Sequence, residues 1–105
     1  MAPRRSYAVV WRGPDGIAQP GRIAIADSAV RFEGGRGRLS TLTLPYADLA
    51  SVRPARPAER LGGRPTLVLE RRGGRPHVRL AAVGGTGTLA ELFDRLGSLL
   101  PVGSA

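Results

Sequence analysis

The chain has 105 residues, a formal net charge of +8, no cysteine and one histidine. This length fits one domain with one core, which buries roughly two thirds of the surface that the unfolded chain exposes. The lack of cysteine excludes disulfides and thiolate metal sites, and the apolar stretch 7–11 is too short for a signal peptide or a membrane span, so we expect a cytoplasmic protein without metal or cofactor.

Apolar residues alternate with small or polar ones in almost every segment, which predicts short strands joined by Gly/Pro turns. The first predicted strand covers 7–12 and ends in the turn 13–16. Residues 22–26 and 29–33 alternate in the same way on either side of an Asp-Ser turn. This pair therefore predicts a hairpin.

The second half of the chain continues this pattern. A Gly-rich basic loop at 34–38 precedes a fourth strand at 41–44, and a short fifth strand follows at 49–52. The composition of 53–65, rich in Pro, Arg and Gly, predicts a loop that does not pack. Residues 66–80 predict the clearest hairpin, with an Arg-Gly-Gly-Arg turn between its strands.

The C-terminal segment predicts an amphipathic helix that begins with a capping box from Thr88 to Glu91. Seven strands followed by one helix predict a small β-barrel or sandwich whose open end the helix closes. We therefore expect a disordered N-terminal arm at 1–6, one domain at 7–100 and a frayed tail at 101–105.

The predicted core consists of the apolar residues on the inward parity of the strands and on the apolar stripe of the helix. These residues are Val9, Trp11, Ile23, Ile25, Val30, Phe32, Leu42, Leu44, Leu49, Val52, Leu67, Leu69, Val78, Leu80, Leu89, Leu92, Phe93 and Leu96. Without the helix, the barrel would expose an apolar mouth.

Three segments resemble bacterial pleckstrin-homology-like (PH-like) and GRAM-like domains. In 21–32 a Gly opens a strand and an Asp turn leads to an aromatic residue, and in 44–52 a short step with an acidic residue precedes a strand. Segment 63–70 is similar to the sixth strand of those domains. The resemblance implies a mainly β fold, a seven-stranded antiparallel barrel or sandwich capped by a C-terminal helix.

The resemblance also implies that the loops after the first, third and sixth strands lie together at the open end of the barrel. These loops and their borders carry a set of arginines, and we interpret them as the partner- or anion-binding residues of a basic rim. The set is Arg12, Arg22, Arg36, Arg38, Arg71, Arg72 and Arg75. Lipid-binding members carry a cation-x-cation pattern on the second strand, but Ala24 interrupts it here, which argues against a phosphoinositide pocket.

The residues show no catalytic pattern. His77 is a lone histidine on the outward parity of the seventh strand, and no serine lies in a Gly-x-Ser-x-Gly elbow. Asp48 and Glu70 are interpreted as turn and strand-surface charges rather than as a carboxylate pair. We therefore expect no enzymatic activity.

All sixteen cationic residues are arginine, which G+C-rich coding explains, although such coding does not explain the excess of charge. We expect a non-enzymatic PH-like binding or adaptor module that recognises an acidic protein or peptide, or a second copy of itself, through the basic rim. One alternative is a peripheral module on an anionic membrane surface, at its inner face. Non-specific nucleic-acid binding is a further alternative, which the aromatic content of 5% does not favour.

Overall fold

The structure, a computed structural model, describes residues 5–13, 17–34, 40–83 and 86–100, with the backbone only at Arg5 and Thr86. Within these residues the chain forms seven strands, one α-helix and four short 3-10 turns. The strands are β1 (Arg5–Arg12), β2 (Ala18–Ile25), β3 (Ala29–Gly34), β4 (Ser40–Pro45), β5 (Leu49–Pro54), β6 (Leu67–Arg71) and β7 (Val78–Ala82). The helix is α1 (Thr86–Leu99), and the turns are Tyr46–Asp48, Pro57–Glu59, Leu61–Gly63 and Arg72–Gly74.

All the strands belong to one antiparallel sheet with the order β4-β3-β2-β1-β7-β6-β5. Strand β1 lies in the middle and pairs with β2 on one side and β7 on the other. The sheet curls into a half-barrel, and the C-terminal helix packs against β5 and β7. The prediction of a mainly β fold with antiparallel strands and one terminal helix is confirmed.

The inward parity of the strands forms the core as predicted, and Val9, Ile23 and Phe32 are among its fully buried members. In the described residues, four predicted core positions, Ile25, Leu42, Val52 and Leu89, are only partly buried. The core also takes in Tyr46, whose hydroxyl donates a 2.5 Å hydrogen bond to the Ala26 carbonyl oxygen. Sequence alternation missed this tyrosine because it lies in a turn between two strands.

The prediction for α1 is correct for its buried stripe and wrong for one aromatic residue. Leu92 and Leu96, one helical turn apart, are fully buried, whereas Phe93 is 37% exposed at the edge of the stripe. The helix also begins at Thr86, two residues before the predicted cap, so Thr88 lies in its first turn. The α-helix therefore continues through Thr88, the residue predicted as its N-cap.

The segment between β5 and β6 packs, which contradicts the prediction of an unpacked loop for 53–65. Leu61 is 7% exposed, and its turn contacts β7. The Thr66 hydroxyl ties the segment together, because it accepts a hydrogen bond from the Leu61 N–H (3.0 Å) and donates one to the Arg64 carbonyl (2.8 Å). On the outward parity of β6 and β7, Val68 and Ala81 are fully buried, so part of the outer face of the sheet is covered.

The boundaries of the domain differ from the predicted ones at the N-terminus. Arg5 and Ser6, assigned to the arm, pair with Ile25 and Ala24 as the first residues of β1. Residues 1–4 and the predicted tail 101–105 lie outside the described residues.

Strands β2 and β3 approach closely at a glycine pair. Gly21 lies opposite Gly34, and a side chain on Gly21 would overlap the carbonyl oxygen of Glu33. The indole Nε1–H of Trp11 donates a 3.1 Å hydrogen bond to that same oxygen, and the Trp11 ring lies 5.2 Å from the ring of Phe32. The glycine pair therefore lets the backbone of β3 approach the tryptophan at the end of the core.

We predict that Gly21→Ala lowers the free energy of unfolding by about 3 kcal/mol, because the added methyl group meets backbone rather than a movable side chain. Gly97→Ala is the matched control. Gly97 lies in α1 with open space around it, so that substitution should stabilise the protein by up to about 1 kcal/mol. Urea unfolding of both variants measures the difference, and a Gly21→Ala variant as stable as the wild type would contradict the close approach.

Candidate anion-binding cleft

A concave site of about 430 Å³ lies between the end of β1 and the connection from β6 to β7. Its walls come from two parts of the chain that are far apart in sequence. The residues that line it are Arg12, Gly13, Gly74, Arg75, Pro76, His77 and Arg79. We call this site the basic cleft, since its ionisable lining consists of three arginines and a histidine.

Two of the arginines lie directly opposite each other on neighbouring strands. In the register of β1 and β7, Arg12 faces Arg79, one position beyond the pair of Trp11 with Leu80. Because Trp11 and Leu80 are buried in the core, Arg12 and Arg79 lie on the outer face of the sheet. Like charges directly opposite on one face destabilise a sheet, so this pair is a source of positive potential that an anion would relieve.

The third arginine comes from the turn before β7. Gly73 and Gly74 both adopt positive φ angles (74° and 70°), which turn the chain tightly before Arg75. The Arg75 guanidinium lies 3.4 Å from the Asp48 carboxylate, and both side chains are well exposed, at 58% and 40%. An exposed pair of this kind contributes little to stability, so Arg75 remains available to a ligand.

Arg79 is oriented by the segment that covers the outer face. Its Nη1 donates a hydrogen bond of 3.4 Å to the backbone carbonyl of Glu59. The Glu59 side chain is in turn held by Arg53, with two hydrogen bonds of 2.7 and 2.8 Å, and by the Arg56 N–H at 2.9 Å. The turn Pro57–Glu59 thereby joins the basic cleft to a cluster of ionic groups.

This ionic cluster consists of Ser51, Arg53, Glu59 and Glu70. The hydrogen bonds from Arg53, and then that from the Arg56 backbone, lower the pKa of Glu59 to about 2. The pKa of Glu70 also lies below its usual value, because the Ser51 hydroxyl and then Arg53 donate hydrogen bonds to its carboxylate. The pKa of Arg53 is raised, first by Glu59 and then by Glu70. All of these groups are therefore charged at neutral pH, apart from the serine.

The structure brings some of the predicted rim arginines together and separates others. Arg12 and Arg75 both line the basic cleft. Arg71 ends β6 and is partly buried, and Arg72 is exposed in the next turn, so both lie beside the cleft without lining it.

The prediction for Arg22 needs a correction, and the predictions for Arg36 and Arg38 are not tested. Arg22 is predicted at the border between the first loop and the second strand, but β2 begins four residues earlier at Ala18, and Arg22 lies within the strand opposite Ala8 and Glu33. It therefore does not line the basic cleft. Arg36 and Arg38 lie outside the described residues, and their place in the rim stays a prediction.

Sequence reasoning missed two residues of the cleft, His77 and Arg79. His77 is exposed, as expected of a surface histidine, but it lies in the wall of the cleft. Arg79 lies at an outward-facing position of the seventh strand, and nothing in the sequence distinguishes it from the other outward-facing arginines. The pairing of β1 with β7, which sequence periodicity does not reveal, is the signal that places Arg79 beside Arg12.

Comparison with known proteins found no matching family model and no matching curated protein. Among the described helices, none is long and apolar enough to cross a membrane. In the same residues, no group of three or more His, Asp or Glu side chains is arranged to hold a metal ion.

We predict that Glu59 contributes to stability in a pH-dependent way. Its folded-state pKa of about 2 lies below the ordinary value of 4.5, so its contribution is complete above pH 4.5 and is lost as the pH falls towards 2. Glu59→Gln should therefore be less stable than the wild type at pH 7, and the difference should shrink near pH 2.

Urea unfolding at both pH values measures this effect. Glu91→Gln is the control, because the Glu91–Arg95 pair on α1 is an exposed (i, i+4) pair that contributes little. A difference between wild type and Glu59→Gln that stays constant from pH 7 to pH 2 would contradict the role given to the ionic cluster.

Proposed function

We propose that this chain is a non-enzymatic, PH-like binding module of the cytoplasm that holds an acidic segment of a protein partner in its basic cleft. The observation that carries the proposal is the direct pairing of Arg12 with Arg79 across β1 and β7, with Arg75 and His77 in the same concavity. Arginine presents a planar fork that matches a carboxylate with two parallel hydrogen bonds. Two opposed forks favour a ligand with closely spaced carboxylates, such as neighbouring Asp or Glu side chains.

The charges around the cleft favour a small acidic segment over an extended anionic surface. Three carboxylates border it, since Asp48 pairs with Arg75 and the ionic cluster contributes Glu59 and Glu70. Because each of these carboxylates is paired with an arginine, the pairs are close to neutral, and a flat anionic membrane or a nucleic-acid backbone would gain little from them. A short acidic segment can bind within the cleft alone, where Arg12 and Arg79 lie opposite each other.

The aromatic residues do not support nucleic-acid stacking at this site. Single-strand binders place exposed rings along a basic groove. Here Trp11, Phe32 and Tyr46 are 3%, 0% and 7% exposed, and no Phe, Trp or Tyr lines the cleft in the described part of the chain. Phe93 is exposed, but it lies on α1 in the lining of a different groove.

We predict that Arg12→Glu/Arg79→Glu weakens binding of a labelled oligo-glutamate peptide at least about tenfold, or about 1.4 kcal/mol. Both substitutions replace an arginine, which attracts the carboxylates of the peptide, by a glutamate, which repels them. Binding of the peptide to the wild type should also fall as salt rises, because exposed charges are screened. Fluorescence anisotropy at several salt concentrations measures both effects.

The matched control is Arg31→Glu/Arg64→Glu, which changes the net charge equally at two exposed positions outside the cleft. If both double variants lose affinity to the same extent, net charge rather than the cleft determines binding, and the proposal is wrong. Anionic vesicles and a single-stranded oligonucleotide serve as further probes. Tighter binding to either of them than to the peptide, lost in the cleft variant, would assign the cleft to that ligand instead.

A further inference from the structure

A second concave site lies between α1 and the segment that joins β5 to β6. It encloses about 270 Å³, and most of its lining is apolar. The lining residues are Pro54, Ala55, Arg60, Pro65, Thr66, Leu67, Leu89, Ala90 and Phe93. The two sites share no lining residue, although Arg79 of the basic cleft pairs with Val68, the neighbour of Leu67 on β6.

The helix side of this α1 groove exposes a large apolar side chain. Phe93 is 37% exposed, although the core prediction placed it inside. Ala90 beside it is small, and Gly97, one turn further along α1, has open space around it. A partner surface can therefore approach the Phe93 ring closely, and burial of the ring would be favourable.

The two walls of the groove carry opposite charges. Arg60 lines the wall formed by the β5–β6 segment, and it is exposed. Asp94 follows Phe93 on α1 one helical turn after Ala90, at the rim of the other wall, and it is exposed as well. Within the described residues, neither side chain takes part in an ion pair.

We propose that the α1 groove is the interface of a symmetric homodimer. In an isologous interface each residue i of one copy meets residue j of the other, and j meets i. A second copy presents its own Phe93 to the groove, brings its Asp94 to Arg60 and receives the reciprocal pair. A purely acidic segment would be repelled by Asp94 and a purely basic segment by Arg60. A second copy presents a charge opposite to each of them.

The dimer interface uses none of the residues that line the basic cleft. An interface centred on two aromatic rings and two ion pairs belongs to the small, weak class, so association should depend on concentration. This inference does not depend on the function proposed for the cleft.

Reciprocal charge reversal tests the homodimer by sedimentation velocity over a concentration series. Arg60→Glu alone places a glutamate against Asp94 of the second copy at both contacts, and Asp94→Arg alone places two arginines together. Each variant should raise the dimer dissociation constant at least about tenfold. A mixture of the two variants restores two attractive contacts in the heterodimer, so it should dimerise at least as well as the wild type.

Phe93→Ala provides a second test, because a partly exposed ring can be removed with the buried stripe of α1 intact. It should also weaken the dimer, with circular dichroism to show that the fold is retained. Arg12→Glu, which leaves the hydrogen bond from Arg79 to the Glu59 carbonyl in place, should dimerise like the wild type. A wild type that stays monomeric throughout the series, or a mixture of charge variants that does not associate, would overturn the inference.

Discussion

The pairing of β1 with β7 is the interaction on which the rest of the structure depends. It joins the N-terminal strands and the C-terminal strands into one sheet, so that the curled sheet encloses one core. The same four-residue register places Trp11 opposite Leu80 inside the core and Arg12 opposite Arg79 outside it. Since side chains alternate between the two faces of a strand, the contact that completes the core also creates the basic cleft.

The opposed side chains of Arg12 and Arg79 affect the stability of the sheet. Two cations directly opposite on one face of a sheet reduce its stability unless an anion lies between them. The fold keeps Arg79 in this position through the carbonyl of Glu59, and the ionic cluster of Ser51, Arg53, Glu59 and Glu70 holds Glu59 in turn. The segment between β5 and β6 therefore orients a cleft residue through Glu59 and forms a wall of the α1 groove through Ala55, Arg60 and Pro65.

Sequence periodicity predicted the strands and most of the core, because a period of two directly reports which face of a strand is buried. Periodicity failed where a segment outside the sheet covers outward-facing residues of a strand. Val68 and Ala81 are buried on the outward parity, in the part of the sheet that the β5–β6 segment covers. For Phe93 the error is the opposite one, because the pattern predicted burial and the residue is 37% exposed. An apolar residue at the edge of a helical stripe is buried only where a neighbouring element packs over it.

Only part of the basic cleft was predicted, because periodicity reports the local structure of a strand and not which strands pair. Arg12 and Arg75 were predicted to lie together because the PH-like resemblance implies that the loops after the first and sixth strands meet at one end, whereas Arg79 needed the non-local pairing of β1 with β7. Arg22 was misplaced because the alternation of Ile23 and Ile25 revealed only the end of β2. The earlier residues of that strand, which include Pro20 and Gly21, carry little apolar signal.

A double-mutant cycle of Arg12→Ala and Arg79→Ala, measured by urea unfolding at low salt with and without citrate as a polycarboxylate, tests the central claim most directly. The account predicts that the two guanidinium groups repel each other by about 0.5 kcal/mol in the absence of citrate, and that citrate removes this repulsion or turns it into attraction. A coupling energy of zero under both conditions would contradict the claim that these arginines form one anion site.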